Sequence, residues 1–172
     1  MRLLRVSAMV FIGVTGLIAA PAASSPGPPN QDNRIAPTPD GGYLGEEIYT
    51  ETGVGQTVRK DAPPGKTVRF FIRVMNLGGS SAIHLEGTGD SKCFRVRYWG
   101  GPGYGTNFTS LIVAGTDLAN SPGHTETVRI DVRVRTCAPV GRIKVVEFDT
   151  SPVKPPADFD RVRARVVVVP GL

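Results

Sequence analysis

The sequence contains few of the residues that enzymes use for catalysis. Only two of its 172 residues are histidine and two are cysteine. His84 stands two residues before Glu86 on one predicted strand face, an arrangement that would suit a base and its orienting partner. No nucleophile or oxyanion loop accompanies this pair, so we interpret it as a strand-end histidine beside a solvated carboxylate. His124 follows a Pro-Gly turn and is interpreted as loop surface. We expect a protein that is not an enzyme.

Metal ligands are also scarce in the sequence. Four acidic residues near the start of the predicted domain carry the oxygen ligands that Ca²⁺ prefers: Asp40, Glu46, Glu47 and Glu51. They do not have the fixed spacing of a calcium loop, and a solvated acidic edge is therefore the preferred interpretation. We expect no metal site and no cofactor.

Long hydrophobic runs are missing except at the start of the chain. Residues 6–20 form an apolar run of roughly 15 residues, whereas a membrane span needs about 20. Arg2 and Arg5 precede this run and small residues follow it at 20–23, a pattern typical of a secretory signal peptide. Residues 1–23 are therefore predicted to be a signal peptide, with an uncleaved anchor as the alternative. We expect no membrane span after signal removal, and a secreted protein of the extracellular space or cell envelope.

Residues 24–45 are rich in proline and lack hydrophobic periodicity. Such a segment cannot bury one face of a strand, and its composition is typical of a stiff, exposed linker. We predict a disordered lead-in over residues 24–45 and a folded domain over residues 46–172. The 149 residues left after signal removal suffice for one domain with a hydrophobic core.

The remaining sequence repeats one pattern, a Pro-Gly turn followed by a strand in which every second residue is apolar. This period of two predicts a sheet with one dry and one wet face. Glycine and proline between the strands predict tight turns, and no helix is predicted. The predicted strands are residues 46–51, 55–60, 67–76, 80–86, 92–99, 107–114, 125–136, 142–149 and 159–169.

The parity of each strand divides its residues between core and surface. The predicted core comprises Val68, Phe70, Ile72, Val74, Phe94, Val96, Tyr98, Val128, Ile130, Val132, Val134, Val162, Ala164, Val166 and Val168. Their odd-numbered neighbours are mostly arginine. A slip of one residue would bury a row of guanidinium groups, so the pattern specifies the register strongly.

The order of short motifs along residues 46–169 resembles the bacterial immunoglobulin-like modules of large exported proteins. That resemblance implies an all-β fold, a single immunoglobulin-like antiparallel β-sandwich of about 7–9 strands, in a module without catalytic residues that acts as a spacer or display unit. This chain differs from those modules in having one copy and a cysteine pair. The motifs are Ile48-Tyr49, Gly55-Gln56, Pro64-Gly65-Lys66-Thr67, Asn76-Leu77-Gly78, Gly87-Thr88-Gly89, Phe94-Arg95-Val96-Arg97-Tyr98, Gly115-Thr116, Leu118, Pro122-Gly123, Gly141, Ser151 and Asp160-Arg161-Val162.

Cys93 and Cys137 both lie in the part predicted to be exported to an oxidising space, so we predict a disulfide between them. Both are odd-numbered, at the start of one strand and the end of another. If the two strands are antiparallel neighbours, the cysteines lie side by side at a distance that a disulfide bridges. Such a bond would lie outside the core, unlike that of antibody domains. Free thiols or a metal site are the alternatives.

Two surface features suggest binding. Trp99 takes the outward phase and Tyr104 lies in a glycine-rich loop, so either ring has the shape to stack on a sugar, unless the loop folds back as a lid over the core. If three of the arginine-rich strands share a sheet, their outward residues form one basic surface suited to phosphate or carboxylate polymers. The alternative is a solvated face. The residues of this predicted surface are Arg95, Arg97, Arg129, Arg133, Arg135, Arg161, Arg163 and Arg165.

Taken together, the sequence predicts a secreted, non-enzymatic structural or adhesive module at the cell envelope. The alternative function is polyanion or carbohydrate binding through the arginine face or the loop of Trp99 and Tyr104. Cell-envelope polymers or another exported protein are the expected partners. Because aromatic residues do not alternate with the arginines, we expect no sequence-specific binding of nucleic acid.

Overall fold

A computed structural model of the protein describes residues 31–77, 82–153 and 159–171. The predicted signal peptide and residues 24–30 of the predicted lead-in lie outside this part. The elements are β1 (Gln31–Ala36), β2 (Thr57–Ala62), β3 (Thr67–Asn76), β4 (Ala82–Gly87), β5 (Phe94–Gly100), β6 (Thr106–Asn107), α1 (Thr109–Ala114), β7 (Thr116–Ala119), β8 (Thr125–Val134), β9 (Ile143–Pro152) and β10 (Asp160–Val168).

The strands form two sheets packed face to face. Sheet one has the order β1-β3-β8-β5-β6, and sheet two has the order β2-β10-β9-β4-β7. The all-β sandwich is as predicted, although the described part has ten strands. Neighbouring strands are antiparallel with one exception, because β2 and β10 run parallel over six residue pairs from Thr57↔Arg163 to Ala62↔Val168.

The core lies between the sheets and follows the predicted parity. Of the predicted core residues, Val68 alone is only partly buried, and the others are buried. The largest apolar side chains in this core are those of Tyr98, Phe70 and Phe148. In β3, β5, β8 and β10, which supply the predicted core, the alternation of apolar residues with mostly arginine therefore identified the buried face correctly.

The predicted domain boundary at residue 46 is wrong, because the sandwich already includes β1. This strand pairs with β3 from Gln31↔Asn76 to Ala36↔Phe71, and Ile35 is fully buried. The buried alternate positions of β1 are Gln31, Asn33 and Ile35. Two of these three side chains are polar, so the segment lacks the apolar alternation by which a strand is predicted. The predicted strand at 46–51 is loop, in which Glu47 has a positive φ of 55°.

The strand predicted at 107–114 is also wrong, because Thr109–Ala114 forms the helix α1. The Asn107 side chain accepts a hydrogen bond from the Thr109 amide at 2.9 Å and so supports the first turn. Gly115 ends the helix with φ 81°. Ile112 is buried between exposed Leu111 and Val113. Both a strand and one turn of helix can bury one residue between two exposed neighbours. The sequence pattern therefore did not distinguish them.

Side chains occupy the edge of β5 that β6 leaves unpaired. Asp90 accepts a hydrogen bond from the Val96 amide at 2.7 Å, and the Thr109 hydroxyl accepts one from the Tyr98 amide at 2.9 Å. The Phe108 amide donates to the Tyr98 carbonyl at 3.0 Å. Along the part of β5 that β6 does not cover, these backbone groups are therefore already satisfied.

A buried polar cluster joins β1 to sheet two. Asp160 accepts hydrogen bonds from the Asn33 amide at 2.7 Å and from the Gln56 side chain at 3.0 Å. The Asn33 side chain donates to the Thr150 hydroxyl at 2.8 Å. Burial raises the pKa of Asp160 to about 6, although its hydrogen bonds act in the opposite direction. The fold thus holds a carboxyl group that binds its proton more tightly than it does in the unfolded chain.

This carboxyl group predicts that the sandwich loses stability as the pH rises through about 6. Because the pKa of Asp160 in the folded protein lies above the ordinary 3.8, its protonated carboxyl stabilises the fold at low pH. This stabilisation is lost once the pH exceeds the pKa of Asp160 in the folded protein. It corresponds to at most about 3 kcal/mol between pH 4 and 7. In urea unfolding, Asp160→Asn should lack this slope, whereas Asp61→Asn on the exposed part of β2 should keep it. Parallel curves for wild type and Asp160→Asn would contradict the prediction.

Candidate functional site

The predicted arginine surface is divided between the two sheets. Strands β5 and β8 are neighbours in sheet one, but β10 lies in sheet two between β2 and β9. Arg161, Arg163 and Arg165 therefore point away from the other five arginines. The prediction of one continuous basic surface is wrong. The parity of a residue indicates whether it points toward the core or toward solvent, but it does not indicate to which sheet its strand belongs.

The arginines of β10 are mostly neutralised by carboxylates on β9. Arg161 donates two hydrogen bonds to Asp149, both at 2.7 Å, and Arg163 binds Glu147 at 2.7 Å. These residues are direct cross-strand partners in the antiparallel register. The sequence signal was the odd parity of Glu147 and Asp149, which matches that of the arginines they bind.

The outer surface of sheet one retains an excess of positive charge. We call this surface the basic face and define it by Arg69, Arg95, Arg97, Arg129, Arg133 and Arg135. Arg69 was not among the predicted binding residues and joins the face because β3 pairs with β8. Asp131 lies within the face, 3.0 Å from Arg129 and 3.6 Å from Arg69.

Asp90 holds two arginines at one end of the basic face. Its carboxylate lies 2.9 Å from Arg97 and 3.3 Å from Arg135. Burial opposes ionisation, but the Val96 amide and the two arginines together lower the pKa of Asp90. Beside them runs an open groove of about 470 Å³, lined by Gly65, Arg95, Arg97, Arg133, Arg135 and Thr136.

Trp99 and Tyr104 lie on the outer side of sheet one, and both stack on Arg129. The Arg129 guanidinium is 5.2 Å from the centre of the Trp99 ring and 5.5 Å from that of Tyr104. The Tyr104 ring packs edge-on against Phe71 at 5.6 Å. The outward phase predicted for Trp99 is correct, and the loop folds back over the sheet surface. The face of each ring that points toward Arg129 is therefore covered by the Arg129 guanidinium.

Cys93 and Cys137 form the predicted disulfide, and their Cα atoms are 5.5 Å apart. The Arg135 amide donates to the Cys93 carbonyl at 2.9 Å, which extends the pairing of β5 and β8 up to the bridge. The bond therefore joins the ends of two neighbouring strands of one sheet, as expected, and Cys93 packs, partly buried, against the core. Disulfides persist in oxidising compartments, so this bond fits an extracytoplasmic location.

The histidines bind acidic neighbours on their own sheet. His84 Nδ1 lies 2.7 Å from Asp117 on β7, so Asp117 is its partner where the sequence suggested Glu86. His124 Nε2 lies 3.0 Å from Glu126. Glu46, one of the four acidic residues considered for calcium, binds Arg34 at 2.7 Å. Within the described ranges, no group of three or more His, Cys, Asp or Glu side chains could hold a metal ion, and no helix could cross a membrane.

Comparison with known proteins relates the chain to others by fold alone. No family model and no curated protein matches it. A PapD-like domain of human CEP192 is 13% identical over 94% of this chain and 99% of its own, with a TM-score of 0.43. The fold is immunoglobulin-like. A family 123 glycoside hydrolase from Clostridium perfringens is 12% identical over 83% of this chain and 28% of its own, with a TM-score of 0.48.

A third similar structure is the periplasmic chaperone SfaE, which is 14% identical over 68% of this chain and 56% of its own, with a TM-score of 0.37. Sequence identities this low indicate no shared role for any residue. The two packed sheets bear out the family resemblance seen in the sequence only at the coarser level of an immunoglobulin-like β-sandwich.

The stack on Arg129 predicts a change in the fluorescence of Trp99, the one tryptophan of the chain. Arg129→Gln should remove both cation–π contacts, lower the free energy of unfolding by about 1 kcal/mol and increase quenching of Trp99 by acrylamide. Arg165→Gln, on the other sheet, is the matched control. Equal quenching in wild type and Arg129→Gln would show that the stack does not hold the ring.

Proposed function

We propose that the protein is an exported, non-enzymatic structural module of the cell envelope that carries tension along its strands. Its partners are envelope polymers or another exported protein. The observation that carries the proposal is the parallel pairing of β2, near the start of the domain, with β10, its last strand. Pulled apart from their opposite ends, two parallel strands load all their shared hydrogen bonds in shear at once.

The positions of the domain ends support the same reading. The Asn33 amide of β1 binds Asp160 at the start of β10. Pro37, just after β1, accepts a hydrogen bond from Lys60, whose register partner is Val166 near the end of β10. β1 therefore runs in the direction of β10, and the chain enters the sandwich at one end and leaves it at the other. Tension between these ends acts along the strand axes.

The disulfide adds a covalent tie within sheet one. It closes a loop with a sequence separation of 44 residues, which in the chain-entropy model corresponds to about 4 kcal/mol of stabilisation. A sandwich that works outside the cell gains from a bond that survives partial unfolding. We propose that this bond keeps β5 and β8 together when the terminal strands are strained.

The tension-bearing role predicts different effects of proline at two adjacent positions of β2. The Arg163 amide donates to Gln56 and the Val169 amide to Ala62, so even-numbered residues of β2 face β10. Lys60→Pro removes a hydrogen bond of the parallel pair, whereas Arg59→Pro changes an amide on the other side. In single-molecule pulling from both ends, Lys60→Pro should lower the unfolding force well below that of Arg59→Pro. Equal forces would reject the shear mechanism.

Reduction of the disulfide should lower the free energy of unfolding by about 2–5 kcal/mol. Urea unfolding with and without a thiol reductant measures this change. The Cys93→Ser, Cys137→Ser double variant is the control, since its stability should equal that of the reduced protein and should not respond to reductant. Equal midpoints for oxidised and reduced wild type would show that the bond contributes nothing to the module.

A further inference from the structure

Arg95 on β5 and Arg133 on β8 are direct cross-strand partners on the basic face. Residues paired in this way have Cα atoms about 5.5 Å apart, and like charges in such positions repel. Both side chains are exposed. Within the described residues, neither guanidinium has an ion pair, a hydrogen bond or an aromatic contact.

Two other cross-strand pairs of arginines occur in the described part, and in each of them a carboxylate binds one of the two arginines. In the pair Arg59↔Arg165, Arg59 binds Asp61 at 3.0 Å. In the pair Arg34↔Arg73, Arg34 binds Asp32 and Glu46, both at 2.7 Å.

Arg73 of that second pair also stacks on Tyr43, with its guanidinium 4.1 Å from the ring centre. Each of these two pairs thus has a carboxylate on at least one member. The pair Arg95↔Arg133 has none, and its repulsion is uncompensated by the chain itself.

The surroundings of the pair are open to solvent and positively charged. Both arginines line the open groove described above, together with Thr136. Arg97 and Arg135 flank them and are held in place by Asp90 at 2.9 and 3.3 Å. These neighbours raise the local positive potential while leaving Arg95 and Arg133 as the two groups without a counter-charge.

We propose that Arg95 and Arg133 together bind one phosphate group. Each guanidinium offers a planar fork of N–H donors, and an anion with three acceptor oxygens can meet two such forks while sharing only one oxygen between them. A single carboxylate can bridge two arginines, as Asp90 does, but its one negative charge balances only one of them. A phosphate monoester has three free oxygens and a charge of about −1.5 to −2 at pH 7, which matches the pair.

The test is a titration of the full, disulfide-bonded protein with inorganic phosphate at constant ionic strength, followed by the side-chain Nε–Hε NMR signals of arginine. The signals of Arg95 and Arg133 should shift along one saturation curve. Arg133→Gln should weaken phosphate binding at least tenfold and abolish the shift at Arg95. Arg165→Gln, which alters a paired arginine position on sheet two, should leave the affinity unchanged.

Three results would overturn the proposal. These are the absence of shifts at both arginines, an equal shift at Arg165, and an affinity for phosphate that Arg133→Gln changes by less than twofold. A melting experiment supplies a second measurement. Phosphate should raise the Tm of the wild type above its value in chloride of equal ionic strength, and should do so less in Arg95→Gln, which removes the repulsion as well as the site. An equal rise in both proteins would count against it.

The source of the phosphate is decided by two further probes, ethyl phosphate and dimethyl phosphate. Tight binding of the monoester alone would assign the site to a terminal phosphate, whereas equal binding of the diester, which has two free oxygens and one charge, would contradict the match in charge on which the proposal depends. Binding of neither ester would overturn the proposal. Failure here would leave the structural role untouched, because that role depends on the strand pairing of β2 and β10.

Discussion

The alternation of apolar and charged residues along the long strands is the constraint on which the rest of the structure depends. From Val128 to Val134 in β8 and from Val162 to Val168 in β10, every second residue is valine, isoleucine or alanine, and most of the residues between them are arginine. Burying a row of guanidinium groups without partners would cost more than such a domain can supply. One register is therefore allowed. That register brings Arg161 opposite Asp149, Cys93 beside Cys137, and Arg95 opposite Arg133.

The parts of the fold that were predictable are those in which this alternation is unbroken. The bounds predicted for β3, residues 67–76, are those observed, and the disulfide followed from the phase and position of its two cysteines. β1 was missed because Asn33 occupies an inward position that an apolar residue usually takes. Its partners Asp160 and Thr150 are more than 110 residues away in the chain, and no local pattern shows such a contact.

The surface could be predicted in composition but not in arrangement. Parity correctly turned the arginines outward, yet the charge of each face depends on which strands are neighbours. β10 pairs with a strand that carries Glu147 and Asp149 at matching positions, and its arginines are therefore largely neutralised. β5 meets β8 at positions where arginine faces arginine. The difference between a salt-bridged surface and an uncompensated pair is thus a property of strand order, which a single sequence does not contain.

The hydrogen bonds along the edge of β5 have a consequence for how the protein behaves at high concentration. A sheet edge with unpaired backbone groups is a template on which strands of other molecules add. At β5 those groups are already bonded to Asp90, Thr109 and Phe108, so an approaching strand would have to displace them. On the opposite sheet, β2 carries the charged pair of Arg59 and Asp61. Both features oppose the addition of another molecule's strand at these two edges.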